Sequence, residues 1–357
     1  MPTRYDASRD DVATALGDQP RYRVDQVWDG LHRRLAEPEE MTELPLRLRT
    51  AVAEALPAAL APAAESTSTD GETVKWLWRL HDGALVETVL MHYADRTTVC
   101  VSSQAGCAMG CGFCATGQAG FERNLSVGEI VEQVVRAAQR ARPRRLSNVV
   151  LMGMGEPLAN YDRTWGAVRR LHDDLGLSAR HITISTVGII PGIRRLAAED
   201  LPVNLAVSLH AANDELRDQL VPINRRYPLG ELLTACRAYL DAKGRRLSFE
   251  WALIAGVNDR AADALELAEL ARPLGAHINL IPLNPTAEFD TPGTPAAGVR
   301  AFRDLLRTLG ANATVRQNRG TDIDAACGQL RARTVDGLTA VPPTPVQAPV
   351  EISGREP

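Results

Sequence analysis

Apolar positions along the chain change their period more than once. Between residues 20 and 60, Val24, Val27, Trp28, Leu31 and Leu35 fall close to one helical face, and residues 46–56 form a second helical segment that stops at Pro57. Residues 58–70, rich in Ala, Ser and Thr, read as a linker. The period then drops to two. Residues 73–80 and 85–92 alternate on either side of His81-Asp82-Gly83, which predicts a hairpin. From Thr97 onward, strand-like and helix-like stretches take turns. The strands are expected at 97–102, 148–152, 181–185, 203–208, 247–254 and 277–281, and the helices at 127–141, 161–175, 193–198, 229–242, 261–271 and 296–309. Ser126 and Glu129 have the spacing of a capping box ahead of the first of these helices.

Six strand–helix units predict an α/β protein built on a partial (β/α)6 barrel, with the chemistry where strands end and loops begin. The expected organisation is a helical unit at 1–60, a linker and hairpin at 61–96, the barrel at 97–332 and a disordered, proline-bearing tail at 333–357.

Composition adds limits. The chain has 357 residues, 45% apolar and 24% charged, which excludes wholesale disorder. No apolar run reaches the ~18–20 residues of a membrane span. The N-terminal segment, with Arg4, Asp6 and Arg9 to Asp11, lacks the apolar core of a secretory signal, so a cytoplasmic protein is expected. The net charge of −4 does not advertise nucleic-acid binding. The basic residues nevertheless cluster, as at Arg136, Arg140, Arg142, Arg144 and Arg145, and only Lys75 and Lys243 are lysines. Six cysteines in a cytoplasmic chain point to metal ligation or catalysis.

The strongest signal is Gly106-Cys107-Ala108-Met109-Gly110-Cys111-Gly112-Phe113-Cys114, just past the first barrel strand. Three thiolates this close, with no nearby fourth Cys or His, suit a [4Fe–4S] cluster with one iron left open. A zinc site that borrows Cys100 is the alternative, since structural zinc takes four protein ligands.

The CxxxCxxC spacing resembles the cluster motif of the radical S-adenosylmethionine (radical SAM) enzymes. The surroundings narrow the resemblance to the RlmN/Cfr family of RNA adenosine methyltransferases. They are Cys100-Val101-Ser102-Ser103-Gln104-Ala105, Gly120-Phe121-Glu122-Arg123-Asn124-Leu125, Met152-Gly153-Met154-Gly155-Glu156-Pro157-Leu158, Ser185-Thr186-Val187-Gly188, Ser208-Leu209-His210-Ala211, Ile281-Pro282-Leu283-Asn284-Pro285 and the run from Arg319 to Leu330 that contains Cys327.

The resemblance implies that Cys107, Cys111 and Cys114 hold the cluster, and that SAM completes it. It implies that Gly155, Glu156, Ser185, Ser208, Leu209, His210 and Asn284 form the SAM pocket. It further implies that Cys327 carries a methyl group taken from a first SAM, and that a radical from a second SAM activates this methyl group to bond with an adenine carbon. Cys100 then resolves the protein–RNA adduct through a transient disulfide with Cys327, and Glu87 is the proton acceptor. Cys236, in a leucine-rich helical stretch, reads as packing.

The implied reaction is methylation at C2 of adenosine in 23S rRNA and in tRNA, 3′ of the anticodon, with C8 methylation of rRNA as the alternative. A non-catalytic iron–sulfur redox protein is the remoter one. The implied partners are these RNAs and an external electron donor such as flavodoxin. No membrane is expected, and the chain is expected to act as a monomer, with its N-terminal helices contacting RNA.

Overall fold

The computed structural model describes residues 2–330 apart from 285, 287, 288, 318, 326 and 327. Cys327, Pro285 and the expected disordered tail therefore lie outside the described residues.

The chain opens with three short helices, α1 (Arg9–Leu16), α2 (Tyr22–Asp29) and α3 (Leu46–Ala55). Ser8 caps α1 with Asp11 in a reciprocal capping box. Strands β1 (Ala61–Thr67), β2 (Thr73–Arg79) and β3 (Leu85–His92) follow, all antiparallel. The expected linker is thus corrected at its centre, where residues 61–67 pair with β2 through a register shift between Pro62 and Ala64. Pairing with an alternating neighbour makes this Ala- and Pro-containing segment a strand; its own β-propensity is poor.

Next come β4 (Thr97–Cys100), β5 (Gln104–Gly106), α4 (Ala115–Ala119), β6 (Phe121–Asn124) and α5 (Val127–Ala141). The barrel continues through β7 (Asn148–Leu151), α6 (Tyr161–Asp173), β8 (Ile182–Thr186), α7 (Ile190–Ala198), β9 (Asn204–Ser208), α8 (Asp214–Leu220) and α9 (Leu229–Lys243). It closes with β10 (Leu247–Leu253), α10 (Ala261–Ala271), β11 (His277–Pro282), α11 (Ala296–Thr308) and β12 (Asn312–Val315). β5 and β6 form a separate two-stranded sheet.

The other ten strands form one sheet in the order β1-β2-β3-β4-β7-β8-β9-β10-β11-β12. All pairings from β4 onward are parallel. The hairpin extension is therefore hydrogen-bonded onto the barrel's first strand. β12, too short to stand out in the sequence, adds a seventh parallel strand.

The period of two in these strands separates two environments. Val149, Leu151, Ile182, Ile184, Leu205, Val207, Phe249, Trp251, Ile278 and Leu280 belong to the main apolar core. Their alternates line the lumen and are mostly polar: Asn148, Thr183, Asn204, Ser248, Glu250, His277, Asn279 and Thr314. Glu250 accepts from Asn279 Nδ2 at 2.6 Å and from Ser248 Oγ at 3.0 Å, and Thr314 Oγ1 lies 2.9 Å from His277 Nε2. The lumen's polar side chains thus partner one another, where an apolar interior would leave them unsatisfied.

The N-terminal helices share the barrel's core and are tied to α5 and α6 by polar contacts. Asp6 accepts from Gly128 N (2.6 Å) and Ser126 Oγ (2.8 Å) at the start of α5. Arg170 donates to the carbonyls of Tyr5 (3.0 Å) and Ala7 (2.8 Å). Arg136 bridges Glu37 (2.6 Å) and the fully buried Glu132 (3.0 Å). Several arginines of the cluster around 136–145 are thus engaged within the protein: Arg140 with Glu65, Arg142 with the Arg34 carbonyl, and Arg144 with Glu72. No helix among the described residues is long and apolar enough to cross a membrane.

Candidate active site

The loops at the carboxyl ends of the barrel strands line an open-mouthed cavity, the kind of concave site in which small ligands bind. Its walls carry Cys107, Cys111 and Cys114, together with Gly155, Glu156, Ser185, Ser208, His210 and Asn284. The structure thus brings together nine of the residues singled out in the sequence. Leu209, between Ser208 and His210, has a fully buried side chain that does not line the cavity. Its neighbours Ser208 and His210 do, and strand alternation turns the residue between them away.

The cysteine loop begins at Gly106, whose φ of +72° and contact with the Gly120 carbonyl leave no room for a side chain. Cys107 N donates to that same carbonyl at 2.7 Å, and Cys114 N to the Cys111 carbonyl at 3.1 Å. Burial pushes the Cys107 thiol up to about 12 and raises that of Cys111 further, with the neighbouring cysteines adding to both. Such thiols become ligands only when a metal's positive charge displaces their protons. Among the described residues, no three Cys, His, Asp or Glu side chains are grouped as ligands of one metal ion. Three cysteines on one wall match the donor set of a cluster with one open iron, whereas structural zinc takes four protein ligands.

Glu156 follows Gly155, which adopts a φ of +99° with its α-carbon pressed against Gln104. Gln104 Oε1 accepts from Glu156 N at 2.8 Å. The Glu156 carboxylate accepts from Leu158 N (3.0 Å) and Val187 N (2.8 Å), joining the loops after β7 and β8. Complete burial outweighs these two hydrogen bonds and pushes its carboxyl up to about 7. An ammonium group brought to this wall would favour the carboxylate again.

His210 adopts a left-handed φ of +61°. Its Nδ1 accepts from Ala252 N at 3.0 Å, so the neutral ring carries its proton on Nε2. Burial, together with the nearby Arg217 guanidinium, pushes this imidazole down to about 3. Its ring meets Phe113 edge-on, with centroids 4.7 Å apart. Ser185 Oγ donates to the Leu151 carbonyl at 2.6 Å.

Sequence reasoning missed several residues. Arg217, on the polar helix α8, is fully buried and donates to the carbonyls of Leu209 (3.1 Å), Val187 (2.6 Å) and Ser208 (3.3 Å) and to Asn224 Oδ1 (2.6 Å). It fixes the loops after β8 and β9, which carry the cavity wall. Met152, Glu250 and Arg316 line both this cavity and the lumen beneath it. The lumen phase of β10 and β12 marks the latter two once the strands are known.

Cys100 and Glu87 lie outside the cavity wall, both buried. Cys100 ends β4 opposite Val89 of β3, and Glu87, two residues along β3, shares that face. Lys75 Nζ stands 3.4 Å from Glu87 Oε1. Gln133 of α5 secures this corner, accepting from Thr88 Oγ1 (2.9 Å) and Ser102 N (2.8 Å). On the far side of the cysteine loop, Ala115 N donates to the Gly328 carbonyl (2.8 Å) and Thr116 Oγ1 to that of Leu330 (2.6 Å).

Comparison with known proteins agrees with this geometry. Residues 101–268 match the model of the radical SAM superfamily. A Frankia alni protein named probable dual-specificity RNA methyltransferase RlmN is 55% identical over 351 residues, covering 93% of this chain and 84% of that protein. The dual-specificity RNA methyltransferase RlmN 1 of Myxococcus xanthus is 52% identical, covering 92% and 94% respectively. The crystal structure of a radical SAM methyltransferase from Sphaerobacter thermophilus, 52% identical, superimposes with a TM-score of 0.90 over 93% of this chain and 100% of its own. The cofactors that go with this family are a [4Fe–4S] cluster and SAM. The chain belongs to the RlmN family of radical SAM RNA methyltransferases.

Proposed function

We propose that this enzyme methylates C2 of adenosine in 23S rRNA and in tRNA, at the adenosine 3′ of the anticodon. In this reading Cys107, Cys111 and Cys114 hold the cluster, and Gly155, Glu156, Ser185, Ser208, His210 and Asn284 receive SAM. When bound, the cluster and SAM would supply methyl groups, one-electron hydrogen abstraction and the acceptor for the unpaired electron left when the methylene carbon bonds to C2, none of which side chains can provide. Glu156 orients the SAM ammonium, and neutral His210 offers an N–H donor to the same ligand.

Cys327 carries the methyl carbon to the adenine, which must leave its stack to reach the pocket. Glu87 accepts the proton that leaves C2. Cys100 then bonds to the Cys327 sulfur as the sulfur–carbon bond breaks. The electron pair of that bond stays on the methylene carbon, which takes up a proton and becomes the methyl group, while the two cysteines are left as a disulfide. An aromatic C2 is not nucleophilic, so direct attack on a SAM methyl group would fail, and a carrier cysteine answers that difficulty.

The observation that supports this reading best is the neighbourhood of position 327. Gly328 and Leu330 are pinned to the helix that follows the cysteine loop, and Asp324 is held by Lys75 beside Glu87. Both protein partners of the chemistry thus flank one short segment. An external one-electron donor such as flavodoxin would reduce the enzyme, which we take to act as a monomer.

RNA from cells lacking this protein should lack 2-methyladenosine, and re-expression should restore it. A Cys327→Ala variant should keep its iron but fail to restore the base. Restoration by that variant would refute the carrier role, and 8-methyladenosine in its place would redirect the reading to C8.

A further inference from the structure

Of the 40 Lys and Arg residues, only Lys75 and Lys243 are lysine, and Lys75 is nearly buried, with 13% of its side chain exposed. On β2 it stands opposite Val89, which in turn stands opposite Cys100. Lys75, Val89 and Cys100 therefore form one row across three strands, with Glu87 on the same face. The Lys75 ammonium lies 3.4 Å from Glu87 Oε1 and donates to the Asp324 carbonyl at 3.2 Å.

Two further contacts hold the same loop against the extension. Thr69 N donates to Asp322 Oδ2 at 2.9 Å. Gly320 packs so tightly on Thr73 that a Cβ there would lie 2.8 Å from its methyl group. The loop at 320–325, which leads to Cys327, is thus seated on the β1–β2 turn and on Lys75.

We propose that Lys75 is the positioning residue of the proton-transfer step: its ammonium holds Glu87 as an aimed carboxylate and, through Asp324, sets the loop leading to Cys327 against it. The inference rests on the reading of Glu87 as proton acceptor. In that step the C2–H bond breaks, the proton passes to a Glu87 oxygen and the electron pair stays with the ring. A buried carboxylate needs a compensating cation. A compact ammonium with three rotatable donors serves a carboxylate and a carbonyl together, whereas a guanidinium fork is planar and fixed. In a chain that otherwise uses arginine almost throughout, a lysine at this point is a chemical choice.

The test is a quenched single-turnover reaction of the full-length, anaerobically reconstituted enzyme with a synthetic tRNA anticodon-stem RNA. Denaturing gels separate the covalent protein–RNA species from free methylated RNA, and Cys100→Ala marks the position of the trapped species. Lys75→Met, which loses both the charge and the Asp324 contact, should slow release on the order of 10- to 100-fold more than it slows cross-link formation, a part of what a general base supplies. Lys75→Gln, which keeps a donor for Asp324 but no charge, should stall likewise. Lys75→Arg, which keeps the charge but in a fixed planar fork, should recover part of the release rate.

Wild-type release by the Met or Gln variant overturns the proposal, and so does equal slowing of formation and release in the Met and Arg variants, which would mark a packing role. Glu87→Gln separates the two readings. If it releases product normally, the Glu87 assignment falls and Lys75 with it. If it stalls while Lys75→Met does not, only the Lys75 proposal falls.

Discussion

Gly106→Ala tests whether local backbone strain positions the cysteine loop. Gly106 adopts a φ of +72°, where a residue with a Cβ pays roughly 1–2 kcal/mol. The added Cβ would lie 2.0 Å from the Gly120 carbonyl oxygen and 2.9 Å from its carbon. Ordinary contact requires about 3.4 Å, so the two segments must part by more than 1 Å. The same oxygen accepts the hydrogen bond from Cys107 N. Parting the strands leaves that N–H without its acceptor, at about 1–3 kcal/mol. The sum is on the order of 2–5 kcal/mol.

Gly110→Ala is the control. Its φ is +68°, yet nothing stands within 4 Å of the added carbon, so only the conformational cost of about 1–2 kcal/mol applies. Urea unfolding of both variants, with iron and sulfide content per chain, measures the difference. Gly106→Ala should be the less stable and should lose iron. If it matches Gly110→Ala in stability and retains full iron, the account of the loop is wrong.

Other consequences concern charge. His210 is held neutral down to about pH 3 in the folded protein, against about 6.5 when unfolded. The unfolded chain therefore binds one more proton between these values, and stability falls as pH drops through that window, by about 1.4 kcal/mol per pH unit. A His210→Asn variant, which tolerates the left-handed backbone, should lose about one proton's share of that slope in unfolding free energies measured from pH 6.5 to 4.5. An unchanged slope would contradict the buried neutral imidazole. Arg136→Met removes the cation between Glu37 and buried Glu132 and should destabilise the apo protein by roughly 3–5 kcal/mol. Exposed Arg145→Met should stay within about 0.5 kcal/mol; equal melting temperatures for the two would remove Arg136 from the interface between the N-terminal helices and α5.

The barrel strands were legible because their apolar alternates belong to the core while most of their other alternates line a polar lumen. That contrast gave residues 181–185 and 203–208 a period of two, whereas 148–152 is a nearly continuous apolar run after Asn148. The cysteine loop was legible from its own spacing, and most of the cavity wall from the resemblance to the RlmN/Cfr family, whose motifs fall at strand ends. β1 was not legible, because Ala61, Pro62 and Ala64 carry no strand signal of their own and acquire their conformation from β2. Nor was Arg217. On a short helix of mostly polar residues it looks solvated, and only the tertiary fold shows it buried under three carbonyls. The arginines at 136–144 look like a phosphate-binding face when read in line. Several of them are instead matched by acids or carbonyls contributed by residues 34–72.

The ten-stranded sheet has two borders, and a border is a row of unpaired peptide groups on which a second chain can add itself. At one end β1 places Pro62, which has no N–H to donate, beside the register shift that bends the strand, and follows these with the charged Glu65. At the other end β12 is four residues long. Each border is thus too irregular or too short to template a neighbour. The Pro62 that helps to hide β1 in the sequence is thus also what blunts the border it forms.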